Sequence, residues 1–201
     1  MPNKKNKVKF NICNVHYAPI TVAEDGTVTF AVPVAMPGAV SISMDPTGEP
    51  ESFYADGVEY YVINNNQGYD GDLELAMIPE SFRTDILKEE ADANQVLVEN
   101  ANSETGSFAL LFEFDGDIRK IRHVLYNCSA SRPSIESKTN EEDKEVQTET
   151  QTVKARPMAN GYVKAKTGDA TTEAVYNNWY KSVYEPNASP APEETSNTEN
   201  A

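Results

Sequence analysis

The sequence predicts a mainly β protein with a sandwich or barrel-like core, one or two flanking α-helices and a long loop or hairpin arm. Short runs alternate apolar and polar residues, as in Val40–Met44 and Asp72–Met77, and Phe108–Phe114 places four apolar side chains on one face. Because successive side chains of a strand point to opposite faces of a sheet, each run has one face suited to a core. One domain over 1–185 is expected.

Turn signals separate the predicted strands. Asp56-Gly57 is the strongest hairpin signal, because a two-residue hairpin turn needs positive φ at both central positions. Gly116 separates two of the longest strands, and the polar segments 45–50 and 64–71 are expected to be loops. We expect strands at 7–15, 20–22, 27–30, 32–35, 39–44, 51–54, 59–64, 72–78, 95–99, 107–115, 119–128, 134–137, 147–154 and 162–167.

Side chains that share a strand face should form the core, and two helices should lie against the sheet. In 79–90, Phe82 and Ile86 form an apolar pair four residues apart. In 171–184 the apolar residues recur every four positions, with Trp179 as the expected anchor between Val175 and Val183. The strand residues predicted to be buried are Leu73, Leu75, Met77, Phe108, Leu110, Phe112 and Phe114.

The segment 138–153 departs from this alternation. It is highly charged up to Val146, and the following run, 147–154, is polar on both faces, which suits a sheet edge, an arm or a lumen. We therefore expect 138–153 to be an extended loop or hairpin arm that becomes ordered on assembly. The last stretch, 186–201, has too few apolar residues to fold and is predicted to be a disordered tail.

Composition excludes several classes of function. The 201 residues carry a net charge of −15, which opposes general binding to nucleic acid or to an anionic membrane surface. No apolar run approaches the roughly 18 to 20 residues of a membrane span, and the N-terminus lacks a signal-peptide core. The chain is therefore expected to be made and kept in a cytoplasm, where its two cysteines would stay reduced.

No pattern of chemistry-bearing residues emerges, so no catalytic, cofactor-binding or metal-binding residues are predicted and the chain is not expected to be an enzyme. His16 and His123 are the only histidines, and Cys13 and His16 should point to opposite faces of a strand. The chain has no nucleophile-elbow, phosphate-loop or zinc-protease motif. Asp70-Gly-Asp72 and Asp115-Gly-Asp117 lack the remaining calcium ligands and are expected to be turns.

The ten tyrosines leave two uses open. The doublet Tyr60-Tyr61 and the group Tyr176, Tyr180 and Tyr184 could stack on a ligand or pack at contacts between subunits. Packing at subunit contacts is favoured, since tyrosine offers a large apolar ring with a polar end.

Many short segments, in order, resemble the major tail proteins of long-tailed (siphovirus-type) bacteriophages of Gram-positive bacteria. The resemblance spans about 7–185 but does not extend to the acidic segment 140–145 or to the C-terminal tail. It is carried by Val15-His-Tyr-Ala-Pro-Ile-Thr, Asp25-Gly-Thr-Val-Thr, Pro37-Gly-Ala-Val-Ser, Phe53-Tyr-Ala-Asp-Gly, Gly71-Asp-Leu-Glu, Ile78-Pro-Glu-Ser-Phe, Phe108-Ala-Leu-Leu-Phe-Glu-Phe-Asp-Gly, Arg122-His-Val-Leu-Tyr-Asn-Cys, Arg132-Pro-Ser-Ile-Glu-Ser-Lys-Thr and Tyr176-Asn-Asn-Trp.

The resemblance implies a structural virion protein with a tail-tube fold. Such subunits form stacked, hexameric rings around a lumen that conducts DNA into the host without binding it specifically. The implied partners are further copies of the chain and the other tail proteins (tape measure, tail terminator and distal tail), with no membrane and no cofactor. The implied location is the phage tail of the virion.

Two other readings stay open. An Ig-like binding or capsid-decoration module would also be strand-rich and tyrosine-rich, but it would form a stable monomer or small oligomer. A hydrolase built on the abundant carboxylates is disfavoured because no pair of them is marked by its sequence context.

If the chain polymerises, added salt should promote assembly by screening the repulsion between acidic subunits.

Overall fold

The computed structural model describes residues 5–139 and 145–186. It is 46% strand and 7% helix, with antiparallel sheets in a sandwich-like arrangement that does not close into a barrel over the described residues, so the mainly β prediction is confirmed. The elements are β1 (Lys9–Val22), β2 (Val28–Phe30), β3 (Val34–Ala35), β4 (Ala39–Thr47), β5 (Glu51–Ala55), β6 (Val58–Ile63), β7 (Gly68–Leu75), α1 (Glu80–Asp85), β8 (Glu90–Ala91), β9 (Leu97–Val98), β10 (Phe108–Gly116), β11 (Ile121–Ala130), β12 (Glu149–Arg156), β13 (Lys164–Lys166) and α2 (Glu173–Asn178).

One nine-stranded sheet organises the fold. Its order is β2-β1-β10-β11-β12-β7-β4, with β3 added beside β1 and β13 beside β11. The two-stranded ribbons β5–β6 and β8–β9 are separate sheets. The halves β1-β10-β11 and β12-β7-β4 both contribute to one apolar cluster, and β1 also contacts β4, so the sheet folds over on itself.

The main core lies between these halves. Five of the seven strand residues predicted to be buried are buried: Leu73, Leu75, Phe108, Leu110 and Phe112. Phe114 is only half-buried, at the edge of the same cluster. The prediction for Met77 is wrong, because β7 ends at Leu75 and the Met77 side chain, 70% exposed, lies in the connection to α1.

A second apolar cluster covers the opposite face of β10 and β11. Ala109, Leu111, Val124 and Tyr126 form its floor, and the C-terminal segment supplies its cover. Strand β10 is therefore buried on both faces from Phe108 to Glu113, as expected for a strand between two packed layers.

Both predicted helices exist but are shorter than expected. Helix α1 spans six residues instead of 79–90, and the chain turns away at Lys88, where φ is 61°. Its pair Phe82 and Ile86 is fully buried in the main core. Helix α2 covers Glu173–Asn178 instead of 171–184, because the chain continues from Trp179 as turns.

Trp179 anchors the C-terminal segment, as predicted. Its side chain is 2% exposed in the second cluster, and its indole N–H donates to the backbone carbonyl of His123 (3.3 Å). Val183 is buried beside it and Val175 is half-buried.

The prediction of an arm over 138–153 is wrong for its second half. Residues 149–156 form β12, which pairs with β11 on one side and β7 on the other. Gln151, Val153 and Ala155 point into the main core, and the Gln151 side-chain amide donates to the Ser131 carbonyl (2.6 Å). A second hydrogen bond, to the Thr152 carbonyl (3.1 Å), completes the pairing of the amide NH2 group, whereas Oε1 of Gln151 is buried without a partner among the described residues. The acidic residues 140–144 lie outside the described part of the chain.

Two other predicted segments differ from the structure, and a third lies almost entirely outside the described residues. The expected loop 64–71 is shorter, because β7 begins at Gly68; an added Cβ on Gly71 would lie 1.8 Å from the Ser43 carbonyl, so close pairing with β4 requires glycine there. The expected strand 134–137 is an exposed connection. Of the predicted tail 186–201, all but Pro186 lies outside the described residues.

Candidate functional site

The β5–β6 hairpin stands apart from both apolar clusters. As the sequence predicts, Asp56 and Gly57 form its turn with φ values of 52° and 78°, the positive region that a tight hairpin turn requires. All six residues of β6 are exposed, and neither strand belongs to the main sheet. The hairpin is therefore a free two-stranded ribbon.

The surface of this hairpin is unusually apolar. Its exposed large side chains are Phe53, Tyr54, Val58, Tyr60, Tyr61, Val62 and Ile63. Its charged residues are all acidic, namely Glu51, Asp56 and Glu59. An isolated two-stranded ribbon is marginally stable in water, and a contiguous exposed apolar patch marks an interaction surface. The hairpin is the candidate contact element of the molecule.

A second surface is the outer face of β4, β7 and β12, which we call the acidic face. Three rungs cross it, each centred on a β7 carboxylate, and together they carry four carboxylates against one lysine. The rungs are Ser41–Glu74–Thr150, Ser43–Asp72–Thr152 and Asp45–Asp70–Lys154. The alternation that sends Leu73 and Leu75 into the core points these groups outward.

Hydroxyl groups and one arginine favour the ionised form of two β7 carboxylates of the acidic face, Glu74 and Asp70. Hydrogen bonds from Thr148 (2.6 Å) and Ser41 (2.8 Å) lower the pKa of Glu74, and the bond from Arg156 lowers the pKa of Asp70. Thr152 donates to Asp72 at 2.7 Å. The face is therefore negatively charged, and the hydroxyls of Ser41, Thr148 and Thr152 donate to its own carboxylates.

A third feature is a cleft of about 270 Å³, which we call the aromatic cleft. Ile42 and Met44 of β4 form one side, and Phe112 and Phe114 of β10 form the other. The His123 ring stacks on Phe112, with ring centroids 5.1 Å apart. The cleft therefore opens between the two halves of the sheet.

The rim of the aromatic cleft is basic. Lys9 lies 4.7 Å from the centre of the Phe114 ring, and Lys164 lies 4.3 Å from that of Tyr69. Burial, together with Lys166, Lys164 and Lys9, lowers the pKa of His123 to about 4, so the ring is neutral at pH 7. A basic rim contrasts with a chain whose net charge is −15.

A buried carboxylate, Glu113, ties the C-terminal segment to the sheet. It is 3% exposed and accepts from Arg122 (3.0 Å), Lys120 (2.9 Å) and the hydroxyl of Tyr180 (3.3 Å). The guanidinium of Arg122 also lies 3.7 Å from the centre of the Tyr176 ring. Ion pairing and hydrogen bonding fully occupy Glu113, which gives it a structural role.

The structure corrects the expected positions of Cys13 and His16. They lie on the same face of β1, because a bulge at Asn14, with φ of 56°, shifts the register between Cys13–Glu113 and His16–Leu111. The Cys13 thiol contacts Glu113 and Lys120, whereas the His16 ring packs against the Tyr180 ring at an interplanar angle of 34°. Within residues 5–139 and 145–186, no three His, Cys, Asp or Glu side chains converge as a metal site would require.

The two Asp-Gly-Asp sequences lie in different settings. Asp70-Gly-Asp72 lies inside β7, so its prediction as a turn is wrong, whereas Asp115 and Gly116 end β10 just before the connection to β11.

Among the described residues, no helix is long and apolar enough to cross a membrane.

The sequence predicts no functional site, and the only contact arm that it predicts is the segment 138–153. The structure points instead to 51–63, where β6 is apolar on both faces. That lack of alternation next to a strong turn signal was visible in the sequence. The two tyrosine groups singled out in the sequence differ in environment: Tyr60 and Tyr61 are exposed, whereas Tyr176, Tyr180 and Tyr184 pack within the chain.

These features define a mainly β, sandwich-like protein with an acidic sheet face, an exposed apolar hairpin and a basic-rimmed aromatic cleft. In comparisons with known proteins, no family model and no curated protein matches the chain.

Proposed function

We propose that the chain is a structural virion protein that polymerises as stacked, hexameric rings to form the tail tube of a long-tailed phage. The observation that carries this proposal is the β5–β6 hairpin, which exposes seven large apolar side chains on a ribbon outside both cores. Covering such a surface stabilises an assembly by roughly 25 cal/mol for each Å² of apolar area buried. In this proposal the covering surface belongs to neighbouring subunits.

The acidic face supports the second part of the proposal, passage of DNA through a lumen. Its ionised carboxylates repel phosphates, and their hydrogen bonds to Thr148, Ser41 and Thr152 occupy hydroxyls that would otherwise be free to bind DNA. A tube lined by this face would let DNA slide without specific binding.

The partners are those that the resemblance implies. Contacts with further copies build the tube, and the tape measure, tail terminator and distal tail proteins are the other tail partners. The chain is made in the host cytoplasm and ends in the virion. No enzymatic step is assigned to it.

Negative-stain microscopy of the purified chain across a concentration and salt series tests this function. The expected product is a tube of constant diameter, formed more readily at high salt. A variant in which 51–63 are replaced by a short Gly-Ser linker should keep its β-type circular dichroism and form no tubes. A wild-type chain that stays a monomer at high concentration and high salt would overturn the proposal and favour a binding or capsid-decoration module.

A further inference from the structure

We propose that the aromatic cleft is the receptor for the β5–β6 hairpin of a second copy of this chain. This inference rests on the proposed function and adds to it the site that the hairpin enters. It is carried by two surfaces of one molecule that complement each other in apolar character, size and charge.

The cleft offers an apolar interior of suitable size. Its volume is about 270 Å³, whereas a dry cavity of about 150 Å³ accommodates benzene. Side chains from both halves of the sheet line it, including Met44 and Phe112. One tyrosine or phenylalanine ring of a hairpin would fit inside it and contact aromatic rings on its sides.

The charges of the two surfaces are opposite. Lys9 and Lys164 stand at the rim of the cleft, Lys166 is near His123, and no carboxylate lines the cleft among the described residues. The hairpin carries three acidic residues and no basic one. In a chain of net charge −15, a basic rim gives an approaching acidic hairpin a local attraction that the rest of the surface lacks.

The hairpin does not fill the cleft of its own chain. Every residue of β6 is exposed, and both Tyr60 and Tyr61 are among the most exposed large side chains. The occupant is therefore assigned to a neighbour. A contact between two different surfaces of identical subunits is heterologous, and it closes into a ring when the rotation allows.

Mixing two complementary variants tests the contact. Tyr60→Ser/Tyr61→Ser removes the hairpin rings, and Lys9→Glu/Lys164→Glu reverses the rim. Each variant alone should raise the concentration at which assembly begins by at least about 30-fold, the effect of losing an interface hot spot. An equimolar mixture contains one intact hairpin and one intact cleft, so light scattering after size exclusion should give a dimer. A mixture that stays monomeric would overturn the inference.

Charge exchange supplies a second test with matched controls. Adding Glu51→Lys/Glu59→Lys to the Lys9→Glu/Lys164→Glu variant should restore assembly to within about threefold of wild type. The same net charge introduced elsewhere, by Glu24→Lys/Glu104→Lys, should not restore it. Lys88→Glu/Lys181→Glu changes two exposed lysines outside the cleft and controls for the loss of positive charge. Equal impairment by this control, or equal rescue by the remote pair, would overturn the inference.

These outcomes separate the inference from the proposed function. If wild type forms tubes and the cleft variant forms the same tubes at the same concentration, the cleft is not the receptor and the tube function stands. If wild type never assembles, both fail. Urea unfolding of each variant checks that the folded core is intact.

A photo-crosslinker in place of Tyr60 identifies the receptor directly. In a mixture of isotopically light and heavy full-length chains, the expected adduct joins the crosslinker at position 60 of one copy to Ile42, Met44 or Phe112 of another. An adduct within one chain, or one at a different surface, would contradict the assignment.

Discussion

The β5–β6 hairpin and the C-terminal segment 173–186 carry three tyrosines each and place them in opposite environments. In the hairpin, Tyr54, Tyr60 and Tyr61 are exposed on a ribbon that no core covers. In the C-terminal segment the three tyrosines pack against the second apolar cluster or against arginine: Tyr176, Tyr180 and Tyr184. Both regions carry the same residue type, so the difference in tyrosine exposure depends on which other parts of the chain pack against each region.

The C-terminal segment finds partners that the hairpin lacks. Trp179 stacks on Tyr184 with centroids 5.5 Å apart, and Tyr126 donates its hydroxyl hydrogen to the Tyr184 carbonyl (2.9 Å). Burial raises the pKa of Tyr126 and of Tyr180, so both hydroxyls remain protonated donors well above neutral pH. The comparison indicates that aromatic residues of the C-terminal segment stabilise the fold, whereas those of the hairpin lie outside both apolar clusters.

The largest predicted effect is the loss of the anchor of the C-terminal segment. Trp179→Ala should lower the free energy of unfolding by roughly 3 to 5 kcal/mol, because it empties a site that is 2% exposed. Tyr60→Ala, which removes a ring that is 71% exposed, should change it by less than about 0.5 kcal/mol. Urea unfolding monitored by circular dichroism measures both changes. Similar values for the two variants would mean that the aromatic residues of the C-terminal segment do not stabilise the fold more than those of the hairpin.

The second prediction compares two glutamates that pair with arginine at the same distance. Glu113 and Glu173 each lie 3.0 Å from a guanidinium, but their side chains are 3% and 75% exposed. Glu113→Gln should cost roughly 3 kcal/mol, because it leaves Arg122 beneath the C-terminal segment without its counter-charge. Glu173→Gln should cost less than about 1 kcal/mol, as for an exposed ion pair.

Urea unfolding at pH 7 measures both glutamate variants. Equal costs would mean that burial of Glu113 does not determine its contribution. A large effect of Glu173→Gln alone would assign the attachment of the segment to Arg119 instead.

Local periodicity explains which parts of this comparison the sequence predicts. The alternation from Phe108 to Phe112 and the spacing of Trp179 and Val183 identify side chains that the structure buries, because each pattern lies within one short segment of the chain. The hairpin turn follows from Asp56-Gly57 for the same reason. These are properties of neighbours along the chain.

The rest depends on contacts between distant residues. The Ser131 carbonyl accepts an amide hydrogen of Gln151 in a core strand, and no pattern of neighbouring residues in the sequence predicts this contact. Cys13 and His16 share a face only because Asn14 forms a bulge. Whether a tyrosine stays exposed depends on whether a third element packs over it, so the exposure of the hairpin tyrosines emerges only from the folded chain.

A third prediction concerns His123, which lies between the packed segment and the aromatic cleft. Its pKa is about 4 in the folded chain, lowered by burial and by Lys166, Lys164 and Lys9, and 6.5 is its ordinary value. Between pH 6.5 and 4, His123 binds a proton in the unfolded chain but not in the folded chain. His123 therefore leaves the free energy of unfolding unchanged above pH 6.5 and lowers it as the pH decreases toward 4. The loss amounts to at most roughly 3 kcal/mol.

His123→Phe separates this effect from the protonation of carboxylates. Phenylalanine keeps the stacking on Phe112 but cannot take up a proton. Urea unfolding at pH 7, 5.5 and 4.5 should show a smaller loss of stability in the variant than in wild type. Parallel curves for the two proteins would mean that His123 does not contribute to the acid response.

The fourth prediction needs no mutation and compares the exposure of the hairpin tyrosines with that of the C-terminal tyrosines. Hydroxyl-radical oxidation followed by mass spectrometry reports how exposed each tyrosine is. In the monomer, Tyr54, Tyr60 and Tyr61 should react several-fold faster than Tyr17 and Tyr126, which are almost completely buried. On assembly the hairpin tyrosines should become protected, while Tyr176 and Tyr184 should keep their monomer rates, because their partners lie in the same chain. Protection of the C-terminal tyrosines with continued oxidation of the hairpin would reverse the two roles and place the subunit contact on 173–186.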